Sequence, residues 1–400
     1  MKKLVLAFET SCDETCAAVV TGDLRVLSNV VSSQIDIHKL YGGVVPEIAS
    51  RNHAMAILGV CEEALNRAGV TLDDITHVAA VNEPGLRGAV MVGKIFGESL
   101  AAARNLPFIP INHLAGHIAS VALTTPAAGA ATPSKEGEYM DKFNSSKYSP
   151  SRGRGGTSKA SDGVVLGGEF GNESVSFPFL SLLVSGGHTA LYLVKSWQNI
   201  KLLCQTMDDA VGECFDKVAK ILGLEYPGGV KIQNLGMEYL KKNKSPDLIQ
   251  FISNPSKKDG FSYSGLKTAV LNYVKKLEAG EKLSQTPPSK KGGDRRQAVG
   301  DVILRICASF QHEAIMQLVD KCREYMAKYK ITRASSTRLD MQSSLSSDNS
   351  YAIKNLCVCG GVSANAYLRE KLPNAIFPKF EYCTDNAAMV GAAAILGIKF

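Results

Sequence analysis

Apolar positions along the first 111 residues follow two different periods. Short runs rich in β-branched residues, bounded by polar or glycine-containing turns, predict strands. These runs occupy residues 4–8, 17–20, 26–31, 75–81 and 108–111. Between them, apolar residues recur near every third or fourth position, which predicts helices over 46–67 and 88–103. Because strands and helices follow each other in this order, we expect an α/β domain with a mixed sheet.

A second block with the same alternation begins at Phe177. It predicts strands over residues 179–184, 190–194 and 356–359, and helices over residues 209–222, 263–278, 297–329, 364–371 and 386–396. Both blocks open with strands and turn over glycine-rich bends. We therefore expect two related α/β lobes around a ligand-binding cleft, although no internal sequence repeat is detectable.

Three polar stretches interrupt this pattern, at residues 124–177, 280–296 and 334–350. Ala, Gly, Ser, Lys and Pro dominate the first, which is typical of a low-complexity insertion. We predict a first lobe over 1–123, an insertion over 124–177 and a second lobe over 178–400, whose last helix packs on the first lobe. The alternative for the polar stretches is a basic arm that contacts RNA.

Composition and charge argue against a membrane or secreted protein and allow a nucleic-acid partner. The 400 residues carry a net charge of +7, which permits an anionic partner such as nucleic acid but does not require one. No apolar run approaches the ~20 residues that span a bilayer, so no membrane association is expected. The first residues do not resemble a signal peptide, which argues against secretion. The ten cysteines include no C-x-x-C pair, as expected of free thiols in a reducing compartment.

The sequence HLAGH at residues 113–117 carries the first candidate chemistry. Histidines four positions apart lie on one face of a helix and can bind one metal ion. Asp385, at the start of the last helix, is the candidate for a third ligand; the alternatives are two structural histidines and a plain helix N-cap. A zinc protease has the sequence H-E-x-x-H with the glutamate as general base. Leu114 occupies that position here, which argues against peptide hydrolysis.

Two glycine-rich turns follow predicted strands, at residues 182–189 (LLVSGGHT) and 359–365 (CGGVSAN). Paired glycines let the backbone approach a ligand, and their N–H groups can donate to phosphate oxygens. The second turn leads into a helix N-terminus, where the helix dipole favours an anion. Together the turns suggest two sides of an adenylate pocket; the alternative is a pair of ordinary tight turns. Neither matches a P-loop, and no G-x-G-x-x-G follows the first strand.

Carboxylates mark two further candidate sites. Asp209 and Asp216 are predicted about two turns apart on one helical face, ahead of a Gly228-Gly229 turn, and could bind a ribose. The alternative is a solvated acidic helix. Residues 9–15 (ETSCDET) lie between two strands and suit phosphate or metal-water contacts, although a polar hairpin is the simpler interpretation from the residues alone.

Taken together, the motifs resemble those of the tRNA N6-adenosine threonylcarbamoyltransferases, the TsaD family, in its bacterial and mitochondrial branch. The matching segments follow the family order and span nearly the whole chain apart from the polar stretches. They are FETSCDET (8–15), YGGVVPEIASRNH (41–53), NHLAGH (112–117), LLVSGGHT (182–189), DDAVGECFDKVAKILGLEYPGG (208–229), FSYSGLKTAV (261–270), CGGVSAN (359–365) and CTDNAAMVG (383–391).

The resemblance implies a two-lobed fold with a central cleft, like that of actin, sugar kinases and heat-shock chaperone ATPases (the ASKHA fold). It implies one divalent metal ion per subunit, iron or zinc, held by His113, His117 and Asp385. The adenylate is expected to lie against Leu183, Val184, Ser185, Gly186 and Gly187, with Asp216, Gly229 and Asn365 around its nucleoside.

The implied reaction transfers a threonylcarbamoyl group from threonylcarbamoyl-AMP to N6 of adenosine 37 in tRNAs that read ANN codons, and releases AMP. The implied partners are tRNA and either a second copy of the chain or accessory proteins of the modification pathway. The mitochondrial matrix or the cytoplasm is the expected compartment: the insertions favour an organellar eukaryotic member, although no presequence is visible. The alternative function is a non-catalytic ATP-binding assembly factor with a vestigial metal pair.

The chain departs from the family pattern at two places. The family has a Gly-Pro-Gly turn where this chain has the sequence NEPG at residues 82–85. Proline and glutamate often follow the Gly-Gly turn, and here Val230 and Gln233 occupy those positions. From this second departure we expect different contacts around the ribose.

Overall fold

A computed structural model describes residues 3–123, 175–252, 259–279, 295–331, 353, 355–398 and 400 of the chain. All of residues 334–350 and most of residues 124–177 and 280–296, which were interpreted as insertions, fall outside the described residues. The described parts of 1–125 and 175–400 belong to one compact unit. The division into lobes at 123 and 178 stays a prediction.

The first sheet has the strand order β3-β2-β1-β4-β5. Its strands are β1 (Leu4–Glu9), β2 (Glu14–Thr21), β3 (Val26–Ser33), β4 (His77–Glu83) and β5 (Phe108–Asn112). The first three strands form an antiparallel meander, and β4 and β5 run parallel to β1. Side chains on both faces of β1 and β2 are buried, so that both faces of the sheet require a covering layer.

Helices supply that layer. After the short α1 (Ile35–Lys39), the helices α2 (Pro46–Ala68) and α3 (Arg87–Ala103) pack on one face of the first sheet. The last helix, Ala387–Leu396, packs on the other face. Small residues let that helix pack closely on the first sheet. At Gly391 there is no room for a side chain, because an added Cβ would lie only 2.7 Å from a methyl group of Val20 in β2.

The second sheet has the strand order β8-β7-β6-β9. Its strands are β6 (Phe179–Val184), β7 (Thr189–Ser196), β8 (Asn199–Gln205) and β9 (Asn355–Cys359). The remaining helices are α4 (His113–Ala119), α5 (Val211–Ile221), α6 (Gly228–Lys242), α7 (Ser264–Glu278), α8 (Arg295–Ile331), α9 (Ala366–Lys371) and α10 (Ala387–Leu396). Side chains from α5 to α9 form one large core with β6, β7 and β9.

The two sheets repeat one arrangement. In each, a three-stranded antiparallel meander is extended on the side of its first strand by a parallel strand that arrives through helices. Strand β6 therefore corresponds to β1, and β9 corresponds to β4. This arrangement confirms the predicted α/β fold class with two related halves.

Two α-helices and one strand were not predicted, and one residue was placed in the wrong element. The short helix α1, the edge strand β8 and the helix α6 were not predicted. Apolar and polar residues alternate too weakly along β8 to predict a strand, because most of its side chains are partly or fully exposed. Helix α5 begins at Val211, with Ala210 as its N-cap residue. Asp209 therefore lies outside the helix, and the prediction that it shares a helical face with Asp216 was wrong.

Candidate functional site

Helix α4 lies between the two sheets and presents both histidines of the HLAGH sequence on one face. It begins directly after β5, where the Asn112 side chain accepts hydrogen bonds from the N–H groups of Leu114 and Ala115. The ring centroids of His113 and His117 lie 4.6 Å apart, as expected one helical turn apart. Ile118 of the same helix packs against the second sheet, so α4 is enclosed on both sides.

Asp385 reaches the two histidines from the far end of the chain. Its Oδ1 lies 3.2 Å from Nε2 of His117 and 3.6 Å from Nε2 of His113. One ligand atom from each residue lies within 4.8 Å of the others. The residue is not the helix N-cap: Asn386 takes that role, and its side chain accepts from the N–H of Met389. Packing of α10 on α4 thus positions the carboxylate.

The buried polar atoms of the cluster fit a metal ion. His117 is fully buried, and neither of its ring nitrogens has a hydrogen-bond partner among the described residues. Its Nε2 lies 3.2 Å from Oδ1 of Asp385 without forming a hydrogen bond to it. A buried polar atom without a partner costs about 1–3 kcal/mol, and coordination would remove that cost. Two imidazoles and one carboxylate form a donor set suited to zinc or non-haem iron.

Charges within the cluster shift the titration of all three groups. Burial opposes a charge on His113, but the carboxylates of Asp385 and Glu9 outweigh it and raise the pKa of His113 to about 9. Burial also opposes a charge on Asp385, but His113 and His117 outweigh it and lower the pKa of Asp385 to about 2. Burial and the neighbouring His113 lower the pKa of His117. In the metal-free protein, one charged imidazolium therefore sits beside one neutral imidazole.

Because the folded pKa of His113 lies above its ordinary value of 6.5, its charge stabilises the metal-free protein fully below pH 6.5 and ceases to do so as pH rises through about 9. We expect the free energy of unfolding in EDTA to fall over this interval by up to about 1.4 kcal/mol per pH unit. Urea unfolding of the wild-type protein and of His113→Asn measures the effect. Equal pH dependence in the two proteins would contradict this electrostatic account.

The turn between β1 and β2 contributes Glu9, a residue to which no individual role was assigned from the sequence. Glu9, Thr10, Ser11 and Asp13 are all buried. β1 and β2 pair as an antiparallel hairpin, and the phosphate or metal-water contacts expected of residues 9–15 stay a prediction. Glu9 Oε2 lies 3.0 Å from Nδ1 of His113. The only sequence signal was a charged residue that ends an otherwise apolar strand.

His188 is a second residue that was not assigned. It belongs to the turn between β6 and β7, where the Ser185 N–H donates to the His188 carbonyl at 2.8 Å. Burial and the nearby His113 and His117 lower the pKa of His188 to about 4. The turn of the second sheet thus brings a neutral imidazole close to the cluster carried by the first.

The residues expected against the adenylate fall into two groups. Leu183 and Val184 end β6, and their side chains are fully buried in different cores, so only their backbone could meet a ligand. Ser185 closes the turn, while Gly186 and Gly187 are exposed. A Cβ added at either glycine would meet nothing within 4 Å in the chain.

The residues expected around the nucleoside are already engaged within the chain. Asp216 Oδ1 accepts from the Gly228 N–H at 2.8 Å, and burial raises the pKa of Asp216. Gly229 is partly exposed beside it. The Asn365 side chain caps α9 by accepting from the Leu368 N–H at 3.0 Å. These contacts hold the glycine turns in place and leave their exposed faces free.

Asp208 and Asp209 have a structural role that was not predicted. The Asp208 carboxylate accepts from the backbone N–H groups of Tyr263 and Ser264 and from two serine hydroxyls. Asp209 binds the ammonium groups of Lys217 and Lys267, each at 2.7 Å. Both carboxylates fix the start of α7, and neither lies on a helix. The ribose contact expected of Asp209 stays a prediction.

Fold and site together define a two-sheet α/β protein with a candidate His–His–Asp metal centre between its sheets. The chain belongs to the family of tRNA N6-adenosine threonylcarbamoyltransferases, TsaD, because the sequence model of that family matches residues 25–134 and 161–392. It is therefore a tRNA-modifying transferase, as the resemblance implied. No described helix has the length and apolar character that crossing a membrane requires.

Curated relatives carry the same description. The tRNA N6-adenosine threonylcarbamoyltransferase of Streptococcus pneumoniae D39 is 35% identical over 402 residues, covering 98% of this chain and 92% of the relative. That of Clostridium perfringens SM101 is 36% identical over 403 residues, with the same coverage. Among solved structures, the activator of a 2-hydroxyisocaproyl-CoA dehydratase from Clostridium difficile covers 100% of this chain and 94% of its own, with 11% identity and a TM-score of 0.43. A likeness of that degree carries no inference.

Proposed function

We propose that the chain transfers the threonylcarbamoyl group of threonylcarbamoyl-AMP to N6 of adenosine 37 in tRNAs that read ANN codons. The observation that carries the proposal is the meeting of His113, His117 and Asp385, whose charges act on His188 in the turn that also holds Gly186 and Gly187. A chain of this family with an acyl-activating centre next to an open glycine turn has the parts that the reaction needs.

His113, His117 and Asp385 would hold one divalent ion, iron or zinc. When bound, the ion supplies Lewis-acid polarisation of a carbonyl group. The donor atoms that face one another are the Nε2 atoms of both histidines and Oδ1 of Asp385. Burial of both imidazoles keeps competing water away from this side of the centre.

The adenylate would occupy the open side of the β6–β7 turn. The exposed glycines leave room for a phosphate or ribose where any other residue would place a side chain. Leu183, Val184 and Ser185 would present their backbone, while Asp216, Gly229 and Asn365 would border the nucleoside. Val230 and Gln233 replace the proline and glutamate common in the family; Gln233 here accepts from the Ala366 N–H at 2.9 Å and so links α6 to α9.

The reaction is a group transfer in which the chain acts mainly by positioning. A bond forms between N6 of the adenosine and the carbamoyl carbon, and the bond from that carbon to the phosphate oxygen of AMP breaks. N6 loses one proton, and AMP leaves as an anion. Electrostatic stabilisation at the carbonyl oxygen would supply most of the remaining rate.

Replacing Gly186 by alanine tests the pocket. Because the added Cβ meets no atom of the chain, we expect unchanged thermal stability. The methyl group would occupy ligand space, so we expect KM for threonylcarbamoyl-AMP to rise by about 10-fold or more, the effect of about 1.4 kcal/mol. Gly300→Ala, at an exposed position of α8 with equally open surroundings, is the matched control. An unchanged KM for Gly186→Ala would remove the turn from the pocket.

The reaction itself is tested with purified protein, tRNA and threonylcarbamoyl-AMP, loaded in turn with Fe²⁺ and with Zn²⁺. Nucleoside analysis of the tRNA should reveal the modified adenosine. Reactions with and without accessory proteins of the pathway, together with sedimentation of the chain alone, decide between a homodimer and a dependent subunit. Absence of the product under every condition would favour the non-catalytic assembly factor. We place the activity in the mitochondrial matrix or the cytoplasm, which subcellular fractionation tests.

A further inference from the structure

Among the described residues, only His113 of the two histidines has a hydrogen-bonding group next to its Nδ1, the ring nitrogen that faces away from Asp385. Glu9, at the end of β1, is fully buried, and its Oε2 lies 3.0 Å from Nδ1 of His113. The Ser11 hydroxyl also lies 3.2 Å from that nitrogen. By contrast, Nδ1 of His117 is buried without a partner among the described residues.

This contact selects one tautomer of His113. A carboxylate accepts hydrogen bonds, so Nδ1 of His113 must carry the proton. In the neutral ring the lone pair is then on Nε2, the atom that faces Asp385. A carboxylate behind an imidazole also raises the basicity of the ring and fixes its orientation.

The backbone around Glu9 is held tightly, so its carboxylate has a defined position. The Thr10 hydroxyl donates to the Ala89 carbonyl and accepts from the Gly93 N–H, bridging one turn of α3. The Leu86 N–H donates to the Ser11 carbonyl at 2.8 Å. The Ser11 N–H in turn donates to Oε1 of Glu9. The turn is thus fixed by α3 and cannot carry the carboxylate away from His113.

Space around the turn is equally restricted. A Cβ added at Gly93 would lie 2.5 Å from the Thr10 hydroxyl oxygen, and one at Gly85 would lie 2.8 Å from the Ser11 carbonyl oxygen. The chain therefore has glycine where α3 and its preceding turn approach residues 10 and 11. Close packing of this kind against residues 10 and 11 restricts the position of the neighbouring Glu9 side chain to within a fraction of an ångström.

We propose that Glu9 is a positioning residue of the metal centre, which fixes the Nδ1–H tautomer of His113 and thereby directs Nε2 to the ion. The inference rests on the proposed metal centre of His113, His117 and Asp385. It assigns to the β1–β2 turn a role that lies outside the ligand set.

Metal affinity gives the first test. Glu9→Gln keeps the shape of the side chain and removes its charge. We expect the Kd for Zn²⁺, measured by competition with a chromophoric chelator, to rise about 10–100-fold. Glu83→Gln, an exposed glutamate at the end of the adjacent strand β4, is the matched control and should leave Kd unchanged. An unchanged Kd for Glu9→Gln would overturn the proposal.

A second measurement requires no variant at residue 9. In the Zn²⁺-loaded wild-type protein with ¹⁵N-labelled histidine, Nδ1 of His113 should carry a proton that resonates further downfield than that of His117. A merely structural role of Glu9 would not produce this difference, and an unprotonated Nδ1 of His113 would refute the proposal even if Glu9→Gln fails to fold. If the wild-type protein and His117→Ala bind Zn²⁺ equally, the proposed metal centre fails instead, which is a separate result.

Discussion

His117→Ala is expected to abolish stoichiometric metal binding and, with it, transfer to tRNA. The change removes one of three protein ligands. The loss of metal affinity should therefore exceed ~100-fold, the upper value for replacing a residue that only hydrogen-bonds to a ligand. The buried ring has no hydrogen-bond partner to lose among the described residues, so the change should lower stability mainly through the cavity that it leaves. Metal content by mass spectrometry, chelator competition and product formation measure the effect.

His77→Ala is the matched control for this substitution. His77 begins β4, at the opposite end of that strand from the cluster, and its ring contacts the Thr76 hydroxyl. We expect unchanged metal content and activity for this variant. Full metal occupancy in His117→Ala, with His77→Ala unaltered, would rule out the proposed centre.

Gly360→Ala is expected to give the largest loss of stability among single substitutions at the glycine turns. Gly360 has φ 89° and ψ 165°, a backbone conformation that is essentially restricted to glycine. An added Cβ would also lie 2.4 Å from the Val184 carbonyl oxygen, a backbone atom of β6 that cannot move without disturbing the sheet. Strain and overlap together should lower the free energy of unfolding by about 3 kcal/mol or more.

The next residue gives a matched comparison. A Cβ at Gly361 would meet nothing within 4 Å of the chain, and its φ lies outside the left-handed region. Gly361→Ala should therefore change the free energy of unfolding by less than about 0.5 kcal/mol. Urea unfolding of both variants measures the difference, and similar values for the two would contradict the role assigned to Gly360.

The repeated arrangement of the two sheets explains why the candidate site forms where it does. The β1–β2 turn of the first sheet and the β6–β7 turn of the second occupy corresponding positions, each after the first strand of its meander. Glu9 lies at the first turn and His188 at the second, and both interact with His113. Each sheet thus contributes the same structural feature to opposite sides of α4.

Local patterns determined much of this protein in advance. The apolar periods located most strands and helices, because burial of one face is a property of nearby residues. The four-residue spacing of His113 and His117 was enough to predict that their rings lie close together, since one helical turn brings such side chains onto the same face. The family motifs also allowed the correct prediction of the transferase class.

Only the tertiary structure decided which distant groups meet. Asp385 joins His113 and His117 because α10 packs against the first sheet and α4, a contact that no local spacing specifies. The sequence did not indicate that Asp208 and Asp209 hold the start of α7 through the Tyr263 N–H and the Lys267 ammonium group, because both contacts join residues more than 50 positions apart. The carboxylate of Glu9 is a further case, because its burial depends on α3 and α4 together. Long-range packing brings together residues far apart in the chain, and a single sequence carries no direct record of that proximity.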